Sequence, residues 1–314
     1  MITLAWKVNT EWTYKAKRGF PDIPKPKNYI VTQSGINLGK QLFYDKQLSI
    51  DKDISCGTCH RQENAFAQNV KFSIGRKNSL QTKNTLPLFN IVWNKSFFWD
   101  GRVKSLEEQI SHPLLNPNEM GANFDTIISR LGKSLSYKKM FVEVYGTAKI
   151  DSTLIINSIA QFLRTLISDN AKFDSIVANK AKFTAEEYEG FEIVSDQSKF
   201  NSCINCHSFE GQSLGTNLGL VNNGLAEPNE KMKVPSLRNL KFTAPYMHDG
   251  RFKTLEEVID YYSSAVPNRS DLDYRMKPNR GKEIYTPTEK RKILAFLNTL
   301  NDFEFIRNPN FAEL

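Results

Sequence analysis

Long apolar runs are missing from this chain. No stretch approaches the roughly 20 residues needed to span a bilayer, which excludes a transmembrane anchor. A basic stripe with interleaved aromatics is missing too. The net charge of +8 is spread along the sequence, which argues for a solvated basic surface able to steer an acidic partner, and against nucleic acid. No export signal is visible, because Met1 to Trp6 is too short for the apolar region of one. Cysteine and histidine are scarce, at four residues each in 314. What remains is a rather polar protein, 40% hydrophobic with a mean hydropathy of −0.46, long enough for two domains.

The four cysteines all fall in two copies of one pattern, Cys56-Gly57-Thr58-Cys59-His60 and Cys203-Ile204-Asn205-Cys206-His207. C-x-x-C-H is the attachment signature of a c-type haem: two thiols form thioethers to the porphyrin, and the histidine binds iron from one face. Zinc half-sites or a redox C-x-x-C are the rival readings, and a doubled five-residue pattern speaks against both. The sequence therefore reads as a di-haem protein with two covalently bound haem c. Covalent haem is attached outside the bacterial cytoplasm, so the expected location is the periplasm, with the chain taken as a mature or trimmed form.

Residues 1–35, rich in Lys, Pro and aromatics without periodicity, read as an extended arm. Leu38, Leu42 and Phe43 share one face of a short helix ahead of the first motif. Residues 61–83 read as a mobile polar loop. Ser105 with Glu108 is a capping box that starts a helix at Leu106, and Pro113 and Asn116-Pro117 are expected to stop it. Helical spacing continues from Phe124 to Ile167. Thr184 with Glu187 caps a helix leading to Cys203, a Gly/Asn-rich loop occupies 211–224, and Thr286-Pro287-Thr288-Glu289 opens a last helix. The predicted fold is mainly α: an N-terminal domain over 36–180 and a C-terminal domain over 181–314, both cytochrome c-like, each with one haem.

The halves repeat. Asp100-Gly101-Arg102-x-Lys104-Ser105-Leu106-Glu107-Glu108-x-Ile110 returns as Asp249-Gly250-Arg251-x-Lys253-Thr254-Leu255-Glu256-Glu257-x-Ile259, an internal duplication. At that offset Pro113 corresponds to Tyr262. Proline has no donor for iron, whereas a tyrosine oxygen can bind ferric haem, so the first haem should be open on its far side and the second closed. Tyr261 is the neighbouring alternative, excluded from sharing the role by the ~100° step of a helix, and Met247 is the other candidate donor.

Both haem motifs, Phe98-Trp99-Asp100-Gly101-Arg102, Ser105-Leu106-Glu107-Glu108-Gln109, Asn116-Pro117-Asn118-Glu119-Met120 and Thr243-Ala244-Pro245-Tyr246-Met247-His248-Asp249-Gly250 resemble the bacterial di-haem cytochrome c peroxidases. The tyrosine at 262 resembles the subgroup containing the maturase of methylamine dehydrogenase. The resemblance implies that the first haem is the peroxidatic one and that Gln109, Pro113 and Glu119 line its distal pocket. Glu119 would relay a proton, Gln109 would orient peroxide, and Pro113 would keep ligating groups away. It further implies Trp99 as a relay between the haems, and Asn84, Thr243 and Pro245 around a calcium ion. Arg76 stands where many relatives have a histidine that blocks the iron until the other haem is reduced. His248 is expected to bond a propionate or backbone near the second haem, and His112 to be a helix-end residue.

The favoured function is reduction of hydrogen peroxide to water, with electrons from a cytochrome c or cupredoxin entering through the second haem. Maturase-like oxidation of a protein or small molecule is the rival within enzymes, and a di-haem electron carrier the rival outside them. A homodimer is the candidate assembly.

Overall fold

Ten α-helices and one short two-stranded ladder make up the regular structure of the computed structural model, which describes residues 9–207, 219–279 and 281–313. The signal considered at Met1–Trp6 and residues 211–218 of the Gly/Asn-rich loop lie outside the described residues. No helix among the described residues is long and apolar enough to cross a membrane.

Helix α1 (Gln33–Tyr44) starts where Thr32 accepts a hydrogen bond from Gly35 N. Its Leu38, Leu42 and Phe43 are buried in a core shared with Ile155, Ile159 and Phe162 of α6 (Ser152–Leu163). The two helices approach closely because position 39 is glycine: a Cβ there would overlap the Ser158 carbonyl oxygen and touch Phe162. Between them in sequence, after the short α2, come α3 (Leu106–Leu115), α4 (Phe124–Lys133) and α5 (Leu135–Tyr145). The motif-bearing turn α2 (Cys56–Cys59) is tied at its start, where Ser55 N donates to Thr58 Oγ1 at 3.0 Å.

The second core repeats this construction. Helix α8 (Ala185–Ser195) crosses α10 (Pro287–Asn298) at Gly190, where a Cβ would overlap the Lys292 carbonyl oxygen and touch Phe296. Asn90 and Asn239, both with left-handed backbone (φ +56° and +59°), each precede a 3₁₀ turn. They donate their backbone N–H to Leu166 O and Leu300 O, just beyond α6 and α10 respectively.

Several details depart from the sequence expectations. Pro113 does not stop α3, because the ring sits in the last turn, where Asn116 N still reaches His112 O at 2.9 Å. Lacking an N–H, it leaves the Gln109 carbonyl without its helical donor. Helix α8 ends at Ser195, short of Cys203, in a turn where the Asp196 carboxylate accepts from Ser198 N and Oγ. The segment after His60 is no free loop. Arg61 and Ala67 form one bridge, Ile74 and Leu80 another, and Arg76 N donates to Glu119 O at 3.1 Å.

Packing also crosses the expected domain boundary in both directions. Phe173 and Val177 of α7 (Lys172–Val177) belong to the second core, whereas Phe305 and Phe311 belong to the first. The arm is anchored by an antiparallel bridge between Glu11 and Thr32, with Trp12 N donating to Val31 O at 2.8 Å, and by side chains. Phe20 is buried against Trp93, and Tyr14 donates to Asp169 at 2.7 Å. The fully buried Arg238 guanidinium, paired with Asp174 at 2.9 and 2.5 Å, lies 5.4 Å from the Phe20 ring centre.

Candidate functional site

The two motif histidines are set in the same way. His60 Nδ1 meets Phe66 O at 2.7 Å and His207 Nδ1 meets Pro235 O at 2.9 Å. A carbonyl can only accept, so in each ring Nδ1 carries the proton and Nε2 keeps its lone pair for a metal. Burial lowers both imidazoles to about 4, which holds them neutral. The Phe66 carbonyl is aimed by two successive left-handed residues, Ala65 (φ +52°) and Phe66 (φ +60°). That conformation is costly for a bulky side chain and is held by full burial of both residues.

Around the first motif, α3 and the turn after it bring the expected distal residues together. Gln109 and Pro113, four apart, share a helix face. Met120 N donates to Pro113 O at 3.1 Å, which folds the turn 116–121 back onto the helix. Glu119 Oε1 accepts from Asn116 Nδ2 at 2.7 Å. Burial raises the Glu119 carboxyl above its ordinary value, opposed by Asn116, Arg102 and His112, and Glu119 acts in turn on both Cys56 and Cys59. The carboxyl therefore lies beside the first motif. Gln109 Oε1 is buried with no hydrogen-bond partner among the described residues, an orphan acceptor that fits a ligand. His112 packs edge-on to Phe98 at 5.2 Å, with the Arg102 guanidinium 3.5 Å from that ring centre. Arg76 does not enter this site. Its Nε donates to Asp51 at 2.5 Å, while its backbone N–H and its side-chain stem, close to Gly121, support the Glu119 turn.

The second motif opens into a cavity with about 1230 Å³ of unfilled space, counting the part open to solvent. Cys203, Cys206 and His207 line it together with Tyr262, Met247 and Trp99. Helix α9 (Leu255–Asp260), capped reciprocally by Thr254 and Glu257, passes into a π-helical turn over Tyr261–Ala265. That turn separates the two tyrosines. Tyr262 faces the cavity, whereas the Tyr261 hydroxyl donates to Asn223 O at 2.6 Å.

Trp99 lines the second cavity. Its indole donates to Asn84 O at 2.8 Å, its ring packs 6.4 Å from His248, and Phe98 beside it belongs to the first core. Asn84 N in turn donates to His248 O at 2.7 Å, and Asn84 Nδ2 to Val70 O and Lys71 O at 3.0 and 3.2 Å. No group of three or more His, Cys, Asp or Glu that could hold a metal occurs among the described residues.

Two residues went unnoticed in the sequence. Lys233 lines the second cavity with no acidic partner among the described residues, and burial lowers its ammonium to about 8. A cation there fits the carboxylates of a haem. Its signal was the repeat, since Lys233 stands at the offset of Asn84. Asn223, in the Asn222-Asn223-Gly224 turn, donates to the Tyr262 hydroxyl at 3.1 Å.

Residues 33–182 match the family described as di-haem cytochrome c peroxidase. The chain is 32% identical over 293 residues to the methylamine utilization protein MauG of Methylorubrum extorquens, covering 88% of this chain and 81% of that one. It is 31% identical to the cytochrome c551 peroxidase of Nitrosomonas europaea, covering 84% of this chain and 78% of the relative. A solved MauG-like protein associated with microbial copper homeostasis superposes with a TM-score of 0.85 at 28% identity, covering 96% of this chain and 99% of that one.

Proposed function

Because this chain belongs to the di-haem cytochrome c peroxidase family, we propose that it reduces hydrogen peroxide to water with electrons from a small cytochrome c or cupredoxin. The observation that carries this reading is the half-buried Glu119, its carboxyl raised and held by Asn116 beside the first cysteine pair. A pure electron carrier has no use for it, nor for the unpartnered Gln109.

When bound, haem supplies the iron that takes up peroxide and the electrons that split it. The chain does the rest. With Oε1 fixed by Asn116, Glu119 uses Oε2 to take the proton from one peroxide oxygen and return it to the leaving one. Gln109 Oε1 accepts the peroxide O–H and orients it. Pro113 presents no donor on the open face. His60 would hold the first iron and His207 with Tyr262 the second, and Lys233 and His248 would serve the carboxylates of the second haem. Trp99 carries electrons between the sites.

The matched crossings at Gly39 and Gly190 and the matched turns at Asn90 and Asn239 support an internal duplication into two cytochrome c-like units with covalent haem. That chemistry favours the periplasm. Calcium is assigned to Asn84, Thr243 and Pro245. Asn84 commits Nδ2 to two carbonyls and leaves Oδ1 free, and Thr243 O and Pro245 O accept no hydrogen bond among the described residues. A chelator should remove one calcium per chain and slow electron transfer between the haems. Unchanged transfer in calcium-free protein would refute the assignment.

Tyr262 favours a second reading, maturase-like oxidation of a protein or small molecule. The diferric protein should be examined by absorption before and after peroxide, then given a reduced donor. Fast donor-dependent turnover supports the peroxidase, a long-lived oxidised state without turnover supports the second reading, and an inert protein removes both.

A further inference from the structure

We propose that Asn223 is a positioning residue for the second haem, whose amide selects the Tyr262 phenol over the Met247 thioether as sixth donor and tempers its donation. The inference rests on reading Tyr262 as the axial ligand.

Asn223, Tyr262 and Met247 line one cavity with Cys203, Cys206 and His207. Asn223 Nδ2 lies 3.1 Å from the Tyr262 hydroxyl oxygen and 3.9 Å from Met247 Sδ, so both candidate donors converge on one amide. The orientation of that amide is fixed by its other end, where Oδ1 accepts from Leu225 N at 3.3 Å. The turn carrying it is held from several sides. Asn222 Oδ1 accepts from Gly224 N at 2.8 Å, and Asn222 Nδ2 donates to Asp271 at 2.9 Å. Arg269 grips Asp271 with two nitrogens and donates to Gly224 O and Ala226 O. The Tyr261 hydroxyl closes the frame on Asn223 O. The adjacent tyrosines therefore hold one residue, Tyr261 through its carbonyl and Tyr262 through its amide.

An N–H donor discriminates between the two ligands. Phenolate oxygen is a strong, charged acceptor at normal hydrogen-bond distance, whereas thioether sulfur is a weak one at the limit of reach. The amide therefore favours oxygen at the iron. By drawing electron density from the phenolate it also weakens donation to ferric iron, which raises the reduction potential above that of an unassisted phenolate. A hydrogen bond to a charged acceptor is worth at least about tenfold in an equilibrium.

The test uses the holoprotein with two haems per chain. Asn223→Leu should shift the second haem's reduction equilibrium about tenfold towards the ferric form, about 59 mV lower for one electron, and leave the first haem unchanged. Asn223→Asp keeps the acceptor for Leu225 N–H but sets a carboxylate against the phenolate. It should replace tyrosine by sulfur ligation, seen as the far-red sulfur-to-iron charge-transfer band, which Met247→Leu should abolish. If Asn223 merely shapes the turn, Asn223→Asp will keep the parental spectrum and potential, and the inference falls. Tyr262→Phe separates the two layers. An unchanged second-haem spectrum there refutes the ligand reading, whereas a change there with none in either Asn223 variant refutes this inference alone.

Discussion

At the scale of the residue, the site turns on how burial sets protonation. Glu119 is raised by desolvation first, and Asn116, Arg102 and His112 counter it. A carboxyl with a raised pKa holds its proton to higher pH, so the base needed for the first proton transfer is lost as pH falls through that raised value. The acid limb of peroxide turnover should therefore lie above the ordinary glutamate value of 4.5. Glu119→Gln should erase that limb and reduce the rate by about 10²–10⁴-fold with both haems still attached. Stopped-flow peroxide kinetics across pH would expose the error if the variant kept either the rate or the limb. Tyr262→Phe should open or re-ligate the second haem and change its low-spin resonance signal. Tyr261→Phe should keep the tyrosine ligand, because its hydroxyl bonds only Asn223 O while Leu225 N still holds the Asn223 side chain.

At the scale of the element, the two helix crossings carry one prediction between them. Gly39→Ala and Gly190→Ala each drive a methyl group into a facing carbonyl, which should cost about 1–3 kcal/mol and lower the thermal midpoint. Gly132→Ala in α4 is the matched control. A Cβ there meets nothing within 4 Å, so it should be neutral or stabilising by up to about 1 kcal/mol. Equal effects at all three positions would refute the close-crossing argument. The caps of these helices were legible in the sequence, because Thr184, Thr254 and Thr286 each act on a residue three positions away. Features set by distant contacts were not. Pro113 looked like a terminator, yet the turn folded back through Met120 N keeps α3 going past it. The π turn at Tyr261–Ala265 left no periodic trace, although it determines which tyrosine faces the cavity. The site followed the same division. Glu119 and Gln109 stand in recognisable motifs, whereas Lys233 and Asn223 became candidates only because the fold turns them into the second cavity.

At the scale of the whole molecule, neither core is built from one continuous stretch. Phe305 and Phe311, 3% and 8% exposed, close the first core against Phe66. Phe311→Ala should cost about 3–5 kcal/mol and release the first haem's native signal at lower denaturant than the second's. Simultaneous loss of the two signals at an unchanged midpoint would contradict that coupling. The closure also ties distant parts of the chain together. Tyr44 reaches Phe311 across 267 residues and Gln62 reaches Phe305 across 243, so the wall behind the first motif is built by a segment far downstream of it. A proteolytic cut that frees this segment should therefore uncover the flank of Cys56 and Cys59 while α8 and α10 stay crossed.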